Sequence, residues 1–374
     1  MFKLLIIQPW FCGFGHPAQS LINFASAIGR DERVQYLVSL NPKVAHGFES
    51  MRDLEKWGVV RSFRTRDISG TGKWNTLLAL FVICRMRIQG IRYERIFFFD
   101  GHLKSLAIFW PFFHWIIRCK KVNLIYLHGP EQAMNTWFSR LSIKYFLMRS
   151  EATLFLRTEE LASAWKDALK GNIQDRIRYF PSLEIPDAEA WKPSIQPSSE
   201  LKFGIIGQVR PGKGIDWLVP AFQNRPCIGK LTVAGAFYDE ECRAHLPVLE
   251  HFDGFVNRFL PEIELLQLAS TQDYLLMLYD KNWDPRLESA VLYLAARVNR
   301  PVVVYNKGWS GRKVREFGCG ILASENTEHV IELLINAPRP GSQKYSILLK
   351  GVERFRRAHS VTALREKVLS ELLE

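Results

Sequence analysis

FGIIGQVRPGKGIDWLV, Phe203 to Val219, decides how the chain is read. A short apolar run of the kind that forms a buried strand ends at Gly207. A loop with Arg210, Gly212, Lys213 and Gly214 follows, and a helix starts near Asp216. Glycines let a backbone approach a phosphate closely, the two cations neutralise a diphosphate, and the helix offers its N-terminus to the anion. Gly214 stands where GxxxxGK[ST] needs a serine or threonine, and GxGxxG is absent, so neither a Walker loop nor a dinucleotide fingerprint is predicted. Taken alone, such a loop is equally a solvated turn, and the sequence around it has to choose between the two.

Downstream, KLTVAG, DYLLMLY and PVVVYN repeat the pattern of an apolar run followed by a helix-compatible stretch. Upstream, KLLIIQP, VQYLVSL, RIFFFD, VNLIYLHG, EATLFLR and RIRYFP do the same, with helices expected over about 17–28 and 159–169. This alternation predicts an α/β chain of parallel sheets with crossover helices. Between the two series IPDAEAWKPSIQPSSE, Ile185 to Glu200, holds three prolines and three serines in sixteen residues, a linker composition. The expected layout is an N-terminal domain over 1–185, a linker over 186–200 and a C-terminal domain over 201–357, with a last helix over about 358–374 able to pack back on the first domain. Two such domains leave a cleft between the carboxyl edges of their strands, where open α/β sheets bind ligands.

A length of 374 residues, 47% hydrophobic and 24% charged, fits two packed domains and excludes disorder. Six cysteines, at 12, 84, 119, 227, 242 and 319, show no CxxC or Cys/His spacing, which argues against a zinc site or disulfide framework and for a reducing cytoplasm. MFKLLIIQPW breaks at Pro9 without a small-residue cleavage site and reads as a first buried strand, not a signal peptide. Ser105 to Ile117 is uncharged but only 13 residues long and contains Pro111 and His114, too short to span a bilayer.

The net charge of +12 calls for a partner: nucleic acid, an anionic membrane or acidic small molecules. From Lys104 to Arg149 seven bases face one acid, Glu131, and are interleaved with Phe109, Trp110, Phe112, Phe113, Trp115, Trp137, Phe138 and Tyr145. Bases that meet headgroups and indoles that sit at a boundary suit an anionic membrane surface. The plainer alternative makes the aromatics core and the bases a solvated face. No motif aligns the bases for nucleic acid, so that partner is not expected.

GQVRPGKG, Gly207 to Gly214, resembles the G-x-I-R-P-x-K-G type loop that opens the second domain of the family-four retaining glycosyltransferases. The resemblance implies the GT-B fold, two Rossmann-like domains with the donor site on the second. It nominates Lys213 and Arg210 to hold the donor diphosphate and stabilise the leaving group. Gly207 and Gln208 flank them, with Gln208 standing where many members carry arginine. LTVAG, Leu231 to Gly235, and the segment Gly254 to Asp280 continue the likeness, which puts backbone groups from Val256 to Leu260 near the nucleotide base. The family's E-x7-E signature becomes Asp280 and Glu288 here. A carboxylate at a strand end accepts hydrogen bonds from sugar hydroxyls, and one at a helix start grips two ribose hydroxyls. Glu288 is also readable as a plain acid at a helix start. Between them, Pro285 lacks an N–H for a phosphate and Asp284 adds negative charge.

In the first domain QPWFCGFGHPAQSL, Gln8 to Leu21, supplies Gly13, Gly15 and His16 in the loop that such enzymes bring to the transferred sugar and diphosphate. LIYLHGPEQ, Leu124 to Gln132, resembles the family segment whose histidine lies by the anomeric carbon, here His128. FFFDGHLKS adds Asp100 and His102 on the acceptor side. Pro181-Ser182-Leu183 departs from the Asn-Gly of many members.

The implied activity is transfer of a sugar, with retention, from a UDP- or GDP-sugar to a hydroxyl of a lipid-linked saccharide in cell-surface polysaccharide assembly. The nucleotide-sugar is a co-substrate, no metal or other cofactor is expected, and the implied location is the inner face of the plasma membrane. A nucleotide-sugar epimerase and a non-catalytic GT-B partner subunit stay open as alternatives, because one fold hosts several chemistries.

Overall fold

The structure is a computed structural model that describes the whole chain except residues 1, 12–16, 42–44, 66–72, 150, 188–190, 192–199, 282 and 374. The chain forms two compact units, Met1–Glu184 with Leu364–Glu374, and Ile185–Ala363.

The first unit holds strands β1 (Phe2–Gln8), β2 (Val34–Leu40), β3 (Val59–Arg64), β4 (Tyr93–Phe98), β5 (Lys121–Tyr126), β6 (Thr153–Leu156) and β7 (Ile177–Tyr179). Its helices are α1 (Pro17–Ile28), α2 (Ala45–Glu55), α3 (Lys73–Ile88), α4 (Leu103–Ile117), α5 (Pro130–Ala133), α6 (Trp137–Arg149) and α7 (Glu159–Leu169). The sheet order is β3-β2-β1-β4-β5-β6-β7, every pair parallel. Strands covered by helices on both faces need apolar residues at every position, which is why KLLII and RIFFF are continuous runs. Phe97 sits at the centre, its ring stacked 5.4 Å from Phe24 and near Phe99, Phe155 and Phe180. Burying one such ring stabilises the unit by about 1.5–3 kcal/mol.

The second unit holds β8 (Lys202–Ile206), β9 (Lys230–Ala234), β10 (Phe255–Val256), β11 (Tyr274–Met277), β12 (Val302–Tyr305) and β13 (Gly320–Ala323). Helices α8 (Ile215–Asn224), α9 (Glu240–Ala244), α10 (Glu262–Ser270), α11 (Ala290–Arg297), α12 (Gly308–Phe317), α13 (Thr327–Ile335) and α14 (Gln343–Ala358) belong to it, and α15 (Val361–Leu373) leaves it. The order β10-β9-β8-β11-β12-β13 is again all parallel. One apolar cluster centres on Met277, Val304 and Phe355, and another on Phe203, Leu276 and Val303. Alternate residues of β11 and β12 thus point to opposite faces.

The segment after β7 is tied into the second unit: Val361 N–H donates to Ile185 O (3.0 Å), Thr362 N–H to Asp187 Oδ1 (2.8 Å) and Trp191 N–H to Arg297 O (2.9 Å). The distal part of α15 packs on the first unit, where Glu371 pairs with Arg178 at 2.7 Å and the Lys367 ammonium lies 4.3 Å from the centre of the Tyr179 ring.

Candidate functional site

Each sheet reverses its order once, between β8 and β11 and between β1 and β4. The crevice outside the carboxyl ends of the strands at such a reversal is where open α/β sheets take ligands. In the second unit the loops there are 207–214 and 278–289, and every second-unit candidate except Val256 and Leu260 stands on one of them.

Loop 207–214 is held open by its backbone. Gly207, Gly212 and Gly214 have φ of 101°, 89° and 74°. At Gly214 only glycine fits, because a Cβ there would lie 2.7 Å from Leu278 O and 2.9 Å from Trp217 Nε1. Gly214 is also the N-cap of α8 and supplies no side chain to its first-turn N–H groups, which favours an anion at that end. The loop is braced by Val209 N–H donating to Ala236 O (2.9 Å) and by Asp280 N–H donating to Gly212 O (3.0 Å).

Lys213 is 6% exposed, and no described residue gives its ammonium a hydrogen bond or an ion pair. Burial, helped by the nearby Arg210 charge, pushes its pKa down to about 7. A cation held dry and without a partner is costly, and a ligand anion removes the cost. The Arg210 guanidinium lies 4.4 Å from the centre of the Trp283 ring, which stacks 4.2 Å from Tyr279. The Tyr279 hydroxyl is 2.8 Å from Ser289 Oγ, and Ser289 caps α11 by accepting from Val291 N–H. Arg210 is thus parked on an aromatic platform rigidly tied to the helix start beside Glu288.

Glu288 is half-buried, and its Oε2 accepts from the Tyr293 hydroxyl at 3.0 Å, one turn into α11. That bond fixes the carboxylate's direction and uses one of its lone pairs. Asp284 brings no uncompensated charge: Arg286 Nε and Nη2 donate to its two oxygens at 2.9 and 2.8 Å. Gln208 is half-buried in the loop. Val256 and Leu260 stand apart. Both lone pairs of the Val256 carbonyl are engaged, by Gly235 N–H (3.0 Å) and Arg258 N–H (3.1 Å), and the Leu260 side chain is 6% exposed within the core. Sequence reasoning passed over Tyr279, Trp283, Ser289 and Tyr293. The one available signal was a tryptophan, Trp283, between Asp280 and Glu288.

In the first unit Gly13, Gly15 and His16 lie outside the described residues. Asp100, two residues beyond β4, has φ of 61° and an Oδ1 sealed from solvent without a hydrogen-bond partner among the described residues. Burial raises its carboxyl pKa, against the pull of the Arg157 charge and of the nearby Gln8 side chain. His102 is the N-cap of α4: its Nδ1 accepts from Ser105 N–H at 3.1 Å, so Nε2 carries the proton. Burial foremost, then Lys73, Lys104 and His128, push its pKa down to about 4. His128 is exposed just beyond β5, its ring edge-on to Tyr126, while its carbonyl accepts from Trp165 Nε1 at 2.9 Å. The structure therefore brings His102 and His128 to one sheet edge, with His102 committed to capping.

The cap has a pH signature. The unfolded histidine takes up a proton near 6.5 and the folded one only near 4, so stability present above pH 6.5 is lost as pH falls through that window. His102→Asn keeps an N-cap acceptor without the titration. Its melting temperature is expected to fall less than the wild-type's between pH 7 and 4.5, and parallel curves would contradict the cap assignment.

No protein-family model and no curated protein sequence matches the chain. Solved structures do. HepE from Anabaena in complex with UDP-glucose superposes with a TM-score of 0.71 at 13% identity over 99% of both chains. WaaG, a glycosyltransferase involved in lipopolysaccharide biosynthesis, gives 0.61 at 12% identity over 99% of both chains. A sucrose-phosphate synthase from Thermosynechococcus elongatus gives 0.66 at 13% identity over 99% of this chain and 98% of that one. At these identities the likeness is one of fold, and it agrees with the two parallel sheets: the chain has the GT-B fold.

Proposed function

We propose that the chain is a glycosyltransferase that moves a sugar from a UDP- or GDP-sugar to a hydroxyl of a lipid-linked saccharide, with retention, in cell-surface polysaccharide assembly at the inner face of the plasma membrane. The observation that carries this reading is Lys213: a buried lysine without a hydrogen-bond or ion-pair partner among the described residues, in a glycine-braced loop at a helix N-terminus, with Arg210 beside it. A diphosphate answers all of these features together. That HepE was solved with UDP-glucose and that WaaG acts in lipopolysaccharide biosynthesis support the donor class and the setting.

In this reading the diphosphate seats over Gly207, Gln208 and Gly212–Gly214, and Arg210 leaves Trp283 to meet it. Glu288, aimed by Tyr293, takes the ribose hydroxyls, and Asp280 accepts from hydroxyls of the sugar. The acceptor oxygen forms a bond to the anomeric carbon while the bond to the β-phosphate oxygen breaks on the same face, and the acceptor's proton passes to the departing phosphate. Lys213 and Arg210 stabilise the charge that develops there, so the scheme needs no metal ion. From the first unit we assign His128 to the reacting sugar and the edge near Asp100 and His102 to the acceptor.

Glu288→Gln tests the donor grip. The amide keeps the Tyr293 contact but loses the charge, so KM for the donor is expected to rise about tenfold with kcat little changed. An unchanged KM would reduce Glu288 to an acid at a helix start. The departure at Asp280 favours a second reading, a non-catalytic partner subunit. That reading predicts nucleotide-sugar binding without hydrolysis or transfer.

A further inference from the structure

The helices α3, α4 and α6 lie side by side in the first unit, α4 touching both of the others. Of nineteen large apolar side chains exposed among the described residues, twelve are on these three helices. Trp74, Trp115 and Trp137 are 69%, 70% and 74% exposed, and Phe81, Phe112 and Met148 also stand in solvent. The sheet-facing sides of the same helices are apolar too, with Leu80, Trp110 and Phe146 in the core. A surface helix of a soluble domain carries a polar outer face, and these do not.

Their charge is equally one-sided. The three helices contain seven lysines and arginines and no aspartate or glutamate. Lys73, Arg85, Arg140 and Arg149 are exposed on them. None of the described helices is long and apolar enough to cross a bilayer. A second copy docked by this face across a two-fold axis would set basic residues against basic residues with no acid on either side. An anionic lipid surface satisfies both halves of the pattern, taking indoles and phenyl rings at the acyl boundary and cations at the headgroups.

We propose that the outer face of α3, α4 and α6 is a docking surface for an anionic phospholipid bilayer, on which the three helices lie flat. Trp74 and Trp137 stand at the starts of their helices, and the start of α3 is tied to the start of α4, where His102 N–H donates to Thr76 Oγ1 at 3.1 Å. The face therefore ends at the sheet edge that bears His128. Its use, presenting a lipid-linked acceptor to that edge, rests on the transferase reading, whereas the docking itself does not.

The test is co-sedimentation of the full chain with phosphatidylcholine vesicles with and without about 30% phosphatidylglycerol, at low and high salt. The wild type is expected to sediment with the anionic vesicles and far less with neutral ones. Trp74→Glu/Trp115→Glu/Trp137→Glu and, separately, Arg85→Gln/Arg140→Gln/Arg149→Gln are each expected to lower partitioning about tenfold or more. All six positions are exposed, so both variants should keep the wild-type melting temperature and nucleotide affinity measured without lipid. Wild-type protein left in the supernatant, or a triple tryptophan variant that binds as before, overturns the proposal. So does self-association of the wild type in ultracentrifugation that the tryptophan variant abolishes while vesicle binding is absent, which would make the face a contact between copies. Vesicle binding without any nucleotide binding would sink the transferase reading and leave the docking surface standing.

Discussion

Lys213→Met is expected to give a protein at least as stable as the wild type that turns over donor about a hundredfold to a thousandfold more slowly. The usual penalty for losing a buried side chain is absent, because Lys213 makes no ion pair or hydrogen bond with the described residues and methionine fills a similar volume. What disappears is the cation that meets charge on the leaving diphosphate. The comparison is of melting temperature and kcat in the same preparation. A destabilised variant would make the lysine structural, and an unchanged rate would remove it from the site.

The same lysine predicts two proton linkages. Its pKa falls from 10.5 to about 7 on folding, so between those values the unfolded chain binds the extra proton. The free protein's stability should therefore rise with pH across that window, with the burial penalty fully present below pH 7 and lifted towards 10.5. Lys213→Met should lack that slope. A bound diphosphate raises the pKa again, so binding of a nucleoside diphosphate at pH 8 should take up a proton in the wild type and none in the variant. Calorimetry in buffers of different ionisation enthalpy reads this directly.

Gly235→Ala carries the largest expected cost in stability, more than about 3 kcal/mol. Gly235 ends β9 at φ of 147°, and a Cβ there would lie 2.2 Å from the Gly207 carbonyl oxygen. Its N–H also donates to Val256 O at 3.0 Å, which ties β9 to β10. The backbone of β9 cannot retreat without losing that bond, so relief must come from Gly207, the first residue of the phosphate loop. Nucleotide affinity should consequently fall along with the denaturation midpoint. A loss below about 1 kcal/mol with unchanged affinity would mean that the two strand ends relax independently.

How far the sequence carries depends on where each residue's partners sit. The central strands were legible because burial on both faces leaves uninterrupted runs such as KLLII and PVVVY. Strands β3 and β13 were not, since both lie at sheet edges. VVRSFR buries only Phe63, and GILA is four residues long and mostly half-buried. The phosphate loop was legible from its glycines and cations, which advertise backbone shape and charge locally. The Arg210–Trp283–Tyr279 stack was not, because it joins two loops brought together only when β8 and β11 pair. Asp284 looked like a stray charge next to the donor until Arg286, two residues on, was seen to hold both its oxygens. In the basic aromatic segment the charge pattern did not separate Trp110, which packs edge-on to Phe146 in the core, from Trp115, which is exposed. Nor did it reach α3, which lies before the segment in sequence and beside it in space.

The central claim is that the second unit binds a nucleoside diphosphate sugar through Lys213. Thermal denaturation of the wild type and Lys213→Met with UDP, GDP, ADP and their common sugars tests it most directly. At about a hundred times its Kd a ligand adds on the order of 2.7 kcal/mol, enough to move the transition visibly. The account predicts a shift with one uracil or guanine nucleotide in the wild type and its loss in the variant. No shift with any of them, or the same shift in both proteins, would contradict it.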